Sequence, residues 1–579
     1  MSSKTPQFNK ALDEYFLGLE LDEKGGQWRT CRFSGEKFYV RPEDIDFYKK
    51  IQVPLPTLSP PERIRRKLAF WNSYNLYYGQ SSFSGKRILM QYPPNTPYKI
   101  YEHQVWFGQE WNSLEYERDY DLDKRFFEQF KDLQLSVPRP NLFVDSTSVN
   151  SEYTNDSVHL KNCYLVFNAV ESEECYYSIS PLRSQYCFDC FDVFDSNICY
   201  DCFESHQLYQ CFFVEYSKNC LESYFLYDCR NCTYCFGGIN LRHKKYMFFN
   251  EQLTKEEYER RLQSINLGNQ ETLTFYKNKF EELTKKAIHK PNHNDRAVDS
   301  YGNYIISSRN CYACFFVEES ENVAYSIGSL KSRDVYDSIV VESEFSYEVS
   351  GGVCGYKLQF VRNSENSREV EYSDLSFNCH NIFGCIGLSN KSFCIFNKQY
   401  TEEDYWKLLD MIKTQMLKDG EYGEFFSPDL SPFPYNISIA TSYKGYDDLD
   451  TTQGYGYRTE EVEESLYDVV GEVVETKDLP VDIKNVSDDI LKKIIYDSKN
   501  NKKFRYIKSE LDFYKKYNLP LPQEHFSVRL AEKRKKFGTI VIELYERTCP
   551  RCGQKFQSSY APDCPEIVYC EQCYQQEVV

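Results

Sequence analysis

Gln185-Tyr186-Cys187-Phe188-Asp189-Cys190-Phe191 is answered twelve residues later by Asn197-Ile198-Cys199-Tyr200-Asp201-Cys202-Phe203, and after twelve more by Tyr209-Gln210-Cys211-Phe212. Cys163 and Cys175 lead into this ladder at the same step, and Cys220 to Cys232 repeats it after one interval of 9. So strict a period marks a solenoid, in which each repeat stacks on its neighbour. The residue after each Cys is aromatic: Tyr164, Tyr176, Phe188, Tyr200, Phe212. Alternation along a strand then puts thiol and ring on opposite faces, and rungs about 4.8 Å apart stack the thiols into an internal column. The spacing leaves the coil at either 12 or 24 residues. Twelve makes a very narrow coil, which tilts the expectation toward 24.

The chain holds two nested duplications. In the inner one, offset by 147 to 148, Asn162-Cys163-Tyr164 and Tyr177-Ser178-Ile179 return as Asn310-Cys311-Tyr312 and Tyr325-Ser326-Ile327. Phe236-Gly237 and Phe249-Asn250 return as Phe383-Gly384 and Phe396-Asn397. Each copy closes on a helix start, Thr254-x-x-Glu257 and Thr401-x-x-Asp404, a capping box and its close variant. The outer duplication, offset by 466 to 468, relates the chain ends. Asp46-Phe47-Tyr48-Lys49-Lys50 and Pro54-Leu55-Pro56 match Asp512-Phe513-Tyr514-Lys515-Lys516 and Pro520-Leu521-Pro522.

The C-terminal end module carries Cys549-Pro550-Arg551-Cys552-Gly553 and, with 17 residues between the pairs, Cys570-Glu571-Gln572-Cys573. Two pairs at this spacing build a closed tetrahedral S4 site of the structural kind, and Zn2+ in one such site is the expected cofactor. Cys564, between the pairs, reads as a spare thiol. In the N-terminal copy the four positions are Ser81, Ser84, Glu102 and Val105, while Gly85 and Trp106 keep the frame. That end therefore retains the module's surface without its metal.

Cys187-x-x-Cys190, Cys199-x-x-Cys202 and Cys232-x-x-Cys235 also have ligand spacing. Against a second metal, the other solenoid copy places Val323, Val335, Ser338 and Ser350 at the positions of Cys175, Cys187, Cys190 and Cys202. Valine replaces a buried thiol as a small hydrophobe but ligates nothing. The ladder of Cys163, Cys175, Cys187, Cys199, Cys211, Cys220 and Cys232 is accordingly read as structural.

Arg63, Arg65, Arg66 and Lys67 precede one end module's hairpin, and Lys533, Arg534, Lys535 and Lys536 the other's. They are candidate nucleic-acid contacts, with a solvated helix face as the plainer reading. Net charge of −18 argues against polyanion binding over the whole surface. Fifty Tyr and 41 Phe against 5 Met favour strands. No phosphate loop, dinucleotide fingerprint, nucleophile elbow or H-E-x-x-H motif occurs, so catalysis is not expected. His243 and His380, though near cysteines, lack partners in the other copy. The acids Asp189, Asp192, Asp195, Asp201 and Glu204 leave room for a paired-carboxylate site without locating one. No long apolar run or secretory signal is present, and a cytoplasmic protein with free or metal-bound thiols is the expectation.

Taken together, Ser34-Gly35-Glu36-x-Phe38, Asp-x-x-Phe-Tyr-Lys-Lys, Pro-Leu-Pro, the Asn-Cys-Tyr solenoid and the paired C-x-x-C segments resemble a family of Cys- and Tyr-rich zinc-ribbon and repeat proteins of small-genome candidate-phylum bacteria. The resemblance spans nearly the whole chain and implies architecture and a bacterial cytoplasmic setting, with no activity attached; the missing N-terminal cysteines depart from it. The expected fold is mainly β with α: a tandem duplicated β-solenoid with helical caps, flanked by two zinc-ribbon-like modules. Its parts are a degenerate module (1–140), a first solenoid (141–253), a helical hairpin (254–299), a second solenoid (300–400), a capping helix (401–420), a Pro-punctuated and acidic linker (421–500) and the zinc module (501–579). The expected function is a non-catalytic scaffold presenting a Tyr/Phe-rich solenoid surface to a protein or ribonucleoprotein partner, with homo-oligomers allowed and no membrane. An RNA- or ribosome-associated factor is the first alternative and a β-helix carbohydrate-active enzyme the second.

Overall fold

The computed structural model describes residues 4–72, 74–461, 471–538 and 543–579. Two β-solenoids form its body, one with strands from Thr154 to Gln252 and the other from Tyr301 to Gln399. Within each, strands pair in parallel with the residue twelve further on. Cys187 faces Cys199, which faces Cys211; Val323 faces Val335, where one eleven-residue step then leads to Ser346.

A period of three underlies the period of twelve. From Asn162 to Phe249 every third residue has φ near +50° or, at Gly237, +68°. Each is a corner, four per twelve residues. L-residues adopt this conformation at a cost of roughly 1–2 kcal/mol apiece, and here even Tyr177, Phe213 and Phe225 do so. The compensation lies along the axis, because the corner amides bond to the rung below: Asn162 N–H donates to the Val149 carbonyl at 2.9 Å and Asp189 N–H to that of Tyr176 at 3.1 Å. Orphaned backbone groups are thereby avoided despite the tight bends.

The residue after each corner points inward, and little space awaits it. Cys163, Val166, Ala169, Ser172 and Cys175 are successive fillings, all buried. Inward hydroxyls also close the hydrogen-bond account: Ser178 Oγ donates to the Tyr176 carbonyl at 2.9 Å and accepts the Cys190 N–H at 3.0 Å. Thiols imitate this more weakly, Cys202 Sγ lying 3.2 Å from the Cys211 carbonyl. Cys, Ser and Val interchange between copies because each is a compact filling for the column, whose other slots take Leu208, Leu226 or Met247. Among the described residues, the solenoid cysteines form no group of three or more close enough to hold a metal.

Helices close the solenoids as their capping patterns indicate. Thr254 and Thr401 each accept the N–H three residues on at 3.2 Å, starting helices Lys255–Gln263 and Glu402–Lys418. A second helix, Gln270–Thr284, completes the hairpin, with Tyr276 edge-on to Phe236 at 5.0 Å.

The end modules cross over. Helices Pro42–Ile51 and Pro60–Leu68 of the N-terminal module dock on the second solenoid, and Lys508–Tyr517 and Phe526–Gly538 of the C-terminal module dock on the first. Four contacts of the two interfaces are made by equivalent residues. Phe47 stacks on Tyr336 at 3.8 Å, and Phe513 on Phe188 at 3.9 Å. The Tyr325 hydroxyl donates to Asp44 at 2.7 Å, and that of Tyr177 to Glu510 at 3.1 Å. Arg63 Nε reaches Asp337 at 2.8 Å, and Arg529 Nε reaches Asp189 at 3.0 Å. Lys67 pairs with Glu348, and Lys533 with Asp201.

Much of the segment expected to be a linker is packed structure. Leu430, Phe433, Tyr435, Tyr443, Tyr446 and Tyr457 are buried, the Tyr435 hydroxyl donating to the Tyr446 carbonyl at 2.7 Å. Its aromatic residues form a core that acidic composition hides. Further on, Ile483, Ile490, Ile494 and Ile495 are buried too, beside a small sheet of Val473–Glu475, Ile494–Asp497 and Lys502–Phe504. Residues 462–470 of that segment lie outside the described residues.

Candidate metal centre and the docked basic helices

The antiparallel hairpin Tyr545–Thr548 with Lys555–Ser558 delivers Cys549 into a tight turn. Cys549 N–H donates to the Gln554 carbonyl and Gly553 N–H to the Cys549 carbonyl, both at 2.9 Å, with Gly553 at φ 77°. That bend needs glycine's freedom and returns Cys552 beside Cys549. Cys570 sits at the start of helix Glu571–Val578 and Cys573 in its first turn. All four sulfurs lie within 4.8 Å of one another, Cys552 and Cys570 at 3.7 Å. Tetrahedral zinc with bonds of about 2.3 Å separates its sulfurs by roughly 3.8 Å, so the donor set fits a metal ion. Cys549, Cys570 and Cys573 are buried and Cys552 is exposed.

Electrostatics favour a thiolate here. Burial would raise the Cys549 thiol, but the backbone amides of Cys570, Cys552 and Arg551 outweigh it and hold it at about 6. Cys573 is pushed up to about 12 by burial and by its hydrogen bonds to Cys552, Cys570 and Cys549. Four thiols this crowded cannot all ionise without a cation among them. Cys564, the fifth, is half-buried and outside the group.

The N-terminal counterpart repeats the turn. Ser81 N–H donates to the Lys86 carbonyl at 2.9 Å and Gly85 N–H to the Ser81 carbonyl at 3.0 Å, with Gly85 at φ 72°. Where a metal would sit, the hydroxyls of Ser81 and Ser84 both donate to Glu102. Burial would raise the Glu102 carboxyl, yet the two hydroxyls keep it below its ordinary value. Val105 supplies the side chain with no donor.

Each ribbon is also tied to the strand that leads into the other solenoid. Ile100–Tyr101 pairs with Arg139–Pro140, and Ile567–Val568 with Ile288–His289. Tyr574, beside Cys573, is fully buried and bonds Asp228, while Arg242 reaches the same hydroxyl at 2.7 Å and Asp228 at 3.1 Å. Trp106 takes that place in the first module, donating to the Pro138 carbonyl at 2.8 Å.

The first basic segment is enclosed, whereas the second is only partly so. Arg63, Arg65, Arg66 and Lys67 are all buried. Arg63 pairs with Asp337, Arg66 with Glu348 and Glu424, Lys67 with Glu348, and Arg65 with Glu62. A cation enclosed against carboxylates offers nothing to an approaching nucleic acid, and the spacing of charges along the chain could not reveal that enclosure. Lys533 and Lys536 pair with Asp201 and Glu215, Arg534 is half-buried, and Lys535 is exposed. Arg529, which sequence reading passed over, is the true equivalent of Arg63; aligning the helices at offset 466 would have found it.

The acids are engaged as well. Asp189 takes Arg529, Asp195 takes Arg183 at 2.7 Å, and Asp201 takes Lys277 and Lys533. Asp192 and Glu204 stand opposite one another in register and hydrogen-bond directly, burial raising both, Asp192 to about 6. Two carboxyls in contact share one proton, whereas glycosidase pairs stand about 5–9.5 Å apart. His243 and His380 are exposed; His243 meets the Asn231 amide, and His380 meets the Asn381 amide and stands edge-on to the Phe393 ring. Among the described residues no helix is long and apolar enough to cross a membrane. No family model matches the chain, and no curated protein matches its sequence.

Proposed function

We propose that this is a zinc-stapled, non-catalytic scaffold protein, in which Cys549, Cys552, Cys570 and Cys573 hold one structural Zn2+. The closed four-thiol group carries the reading, since four protein ligands leave no position for water or substrate. Zinc suits a set of thiols in this geometry, and its role is to fix the ribbon that bonds Asp228 and Arg242 through Tyr574. The register of twelve residues and the corner at every third residue support a coil of twelve residues over one of twenty-four.

The binding face differs from the ring-rich one expected from the sequence, because Phe188, Tyr200 and Phe212 pack beneath the C-terminal module. What stays outside is a ladder of charges, such as Lys161 with Glu173 and Arg309 with Glu321, flanked by exposed Tyr186, Tyr209, Tyr312 and Tyr356. A rigid face of alternating charge and tyrosine suits a protein partner. Affinity capture from native extract, with and without nuclease, tests this. The reading expects the same protein partners from both samples, and nuclease-sensitive capture contradicts it.

A further inference from the structure

Solenoid, module and capping helix meet at a cavity of about 330 Å³, the lower end of the range for small-ligand sites. One wall comes from a single corner column of the second solenoid, where Phe345, Lys357 and Glu369 line the cavity and follow Asp334 from rung to rung. Lys50 comes from the docked helix, Lys4 from the N-terminus, and Trp406 and Lys413 from helix Glu402–Lys418.

Four lysines and two glutamates line the cavity, in a chain whose net charge is −18. Glu371 is engaged at its floor by Lys413 at 2.8 Å and by the Tyr422 hydroxyl at 2.9 Å. The other three ammoniums are held loosely at the mouth. Lys357 lies 3.7 Å from Glu369, Lys50 3.6 Å from Asp334 and Lys4 3.5 Å from Glu402, all with half-exposed ammonium side chains. Exposed pairs like these hold weakly and exchange readily. Lys50 and Lys4 also rest on aromatic faces, 4.3 Å from the Phe345 ring and 4.4 Å from that of Trp406. Swinging either ammonium toward an anion uncovers a ring face.

The internal duplication separates structural need from ligand need. Residues that hold modules to solenoids recur in both halves, as the Arg63 and Arg529 pairs show. Lys50 and Glu369 recur as Lys516 and Glu222, but the two rings and the lysine between them do not: Phe345, Lys357 and Trp406 correspond to Ile198, Gln210 and Glu259. The fold is built in the first half without this ring and charge set.

We infer that the cavity is a binding site for a nucleotide-sized anion, its flat ring stacking on Phe345 or Trp406 and its phosphates met by Lys4, Lys50 and Lys357. Titration calorimetry of the full chain with ADP, adenosine and inorganic phosphate tests it. ADP is expected to bind at least tenfold more tightly than either fragment. Lys50→Gln with Lys357→Gln should weaken ADP at least tenfold and leave the melting temperature in place, both side chains being half-exposed; Trp406→Leu, which also touches the core, should weaken ADP at least threefold. Lys516→Gln, the equivalent of Lys50 in the other half, should bind as the parent does. Absence of ADP binding, phosphate binding as tightly as ADP, or full ADP affinity in the Lys50 and Lys357 double variant overturns the inference.

Discussion

The two ends of the chain solve one folding problem with different chemistry. Both ribbons make the same glycine turn, both pair with a strand leading into a solenoid, and both carry an aromatic residue into the interface. At the C-terminal end four thiols converge, while at the N-terminal end two serine hydroxyls converge on Glu102. A four-thiol group able to hold a metal and a hydrogen-bonded carboxylate thus occupy equivalent places. What both preserve is the position of the ribbon, so the frame, and the surface it braces, is the feature common to the two halves.

Removing the metal should break the comparison most strongly. Binding energies of structural zinc in small peptides reach about 10–16 kcal/mol, so chelation or Cys573→Ser should release the C-terminal ribbon. Limited proteolysis should then cut within 549–573 and spare 81–105. Next in size is the docking pair. Asp337→Ala leaves the Arg63 guanidinium buried without its partner, costing about 3–5 kcal/mol by denaturant unfolding. Asp189→Ala should cost somewhat less, because Arg529 is the more exposed arginine.

A smaller effect separates the interfaces by pH. Asp44 is paired with Arg41 at 2.6 Å, but the position equivalent to Arg41 is Ile507. Burial without that arginine raises the Glu510 carboxyl to about 7. A carboxyl whose folded value exceeds its unfolded one, about 4.3, binds its proton more tightly when folded. Its contribution is therefore full below pH 4.3 and is lost as pH rises through 7, on the order of 3 kcal/mol in all. Hydrogen exchange at helix Lys508–Tyr517 should accelerate over that window while Pro42–Ile51 stays protected. Ile507→Arg should flatten the profile.

Much of this was legible in the residues, and the rest was hidden for identifiable reasons. The twelve-residue ladder, the two duplications, the caps at Thr254 and Thr401 and the four thiols at 549–573 are local spacings. The period of three was not visible, because the corners take Tyr177, Phe213 and Glu204 as readily as Asn162, and the inward slots accept Cys, Ser, Val, Ala or, as at Leu208 and Met247, larger apolar residues. Nor could local pattern show that Arg63–Lys67 face Asp337 and Glu348, some 280 residues away. That pairing is written only in the two offsets read together. The aromatic content of 430–457 was likewise masked by its acids.

The smallest expected effect, and the most direct test of the central claim, is metal content after a change inside the ladder. Cys187→Val gives the first solenoid the residue its twin holds at Val335, a change of about 1.5 kcal/mol or less. Zinc should be one per chain in the parent protein, one in Cys187→Val and none in Cys573→Ser. More than one zinc in the parent, with the excess lost on Cys187→Val, would show that the ladder binds metal and contradict the account.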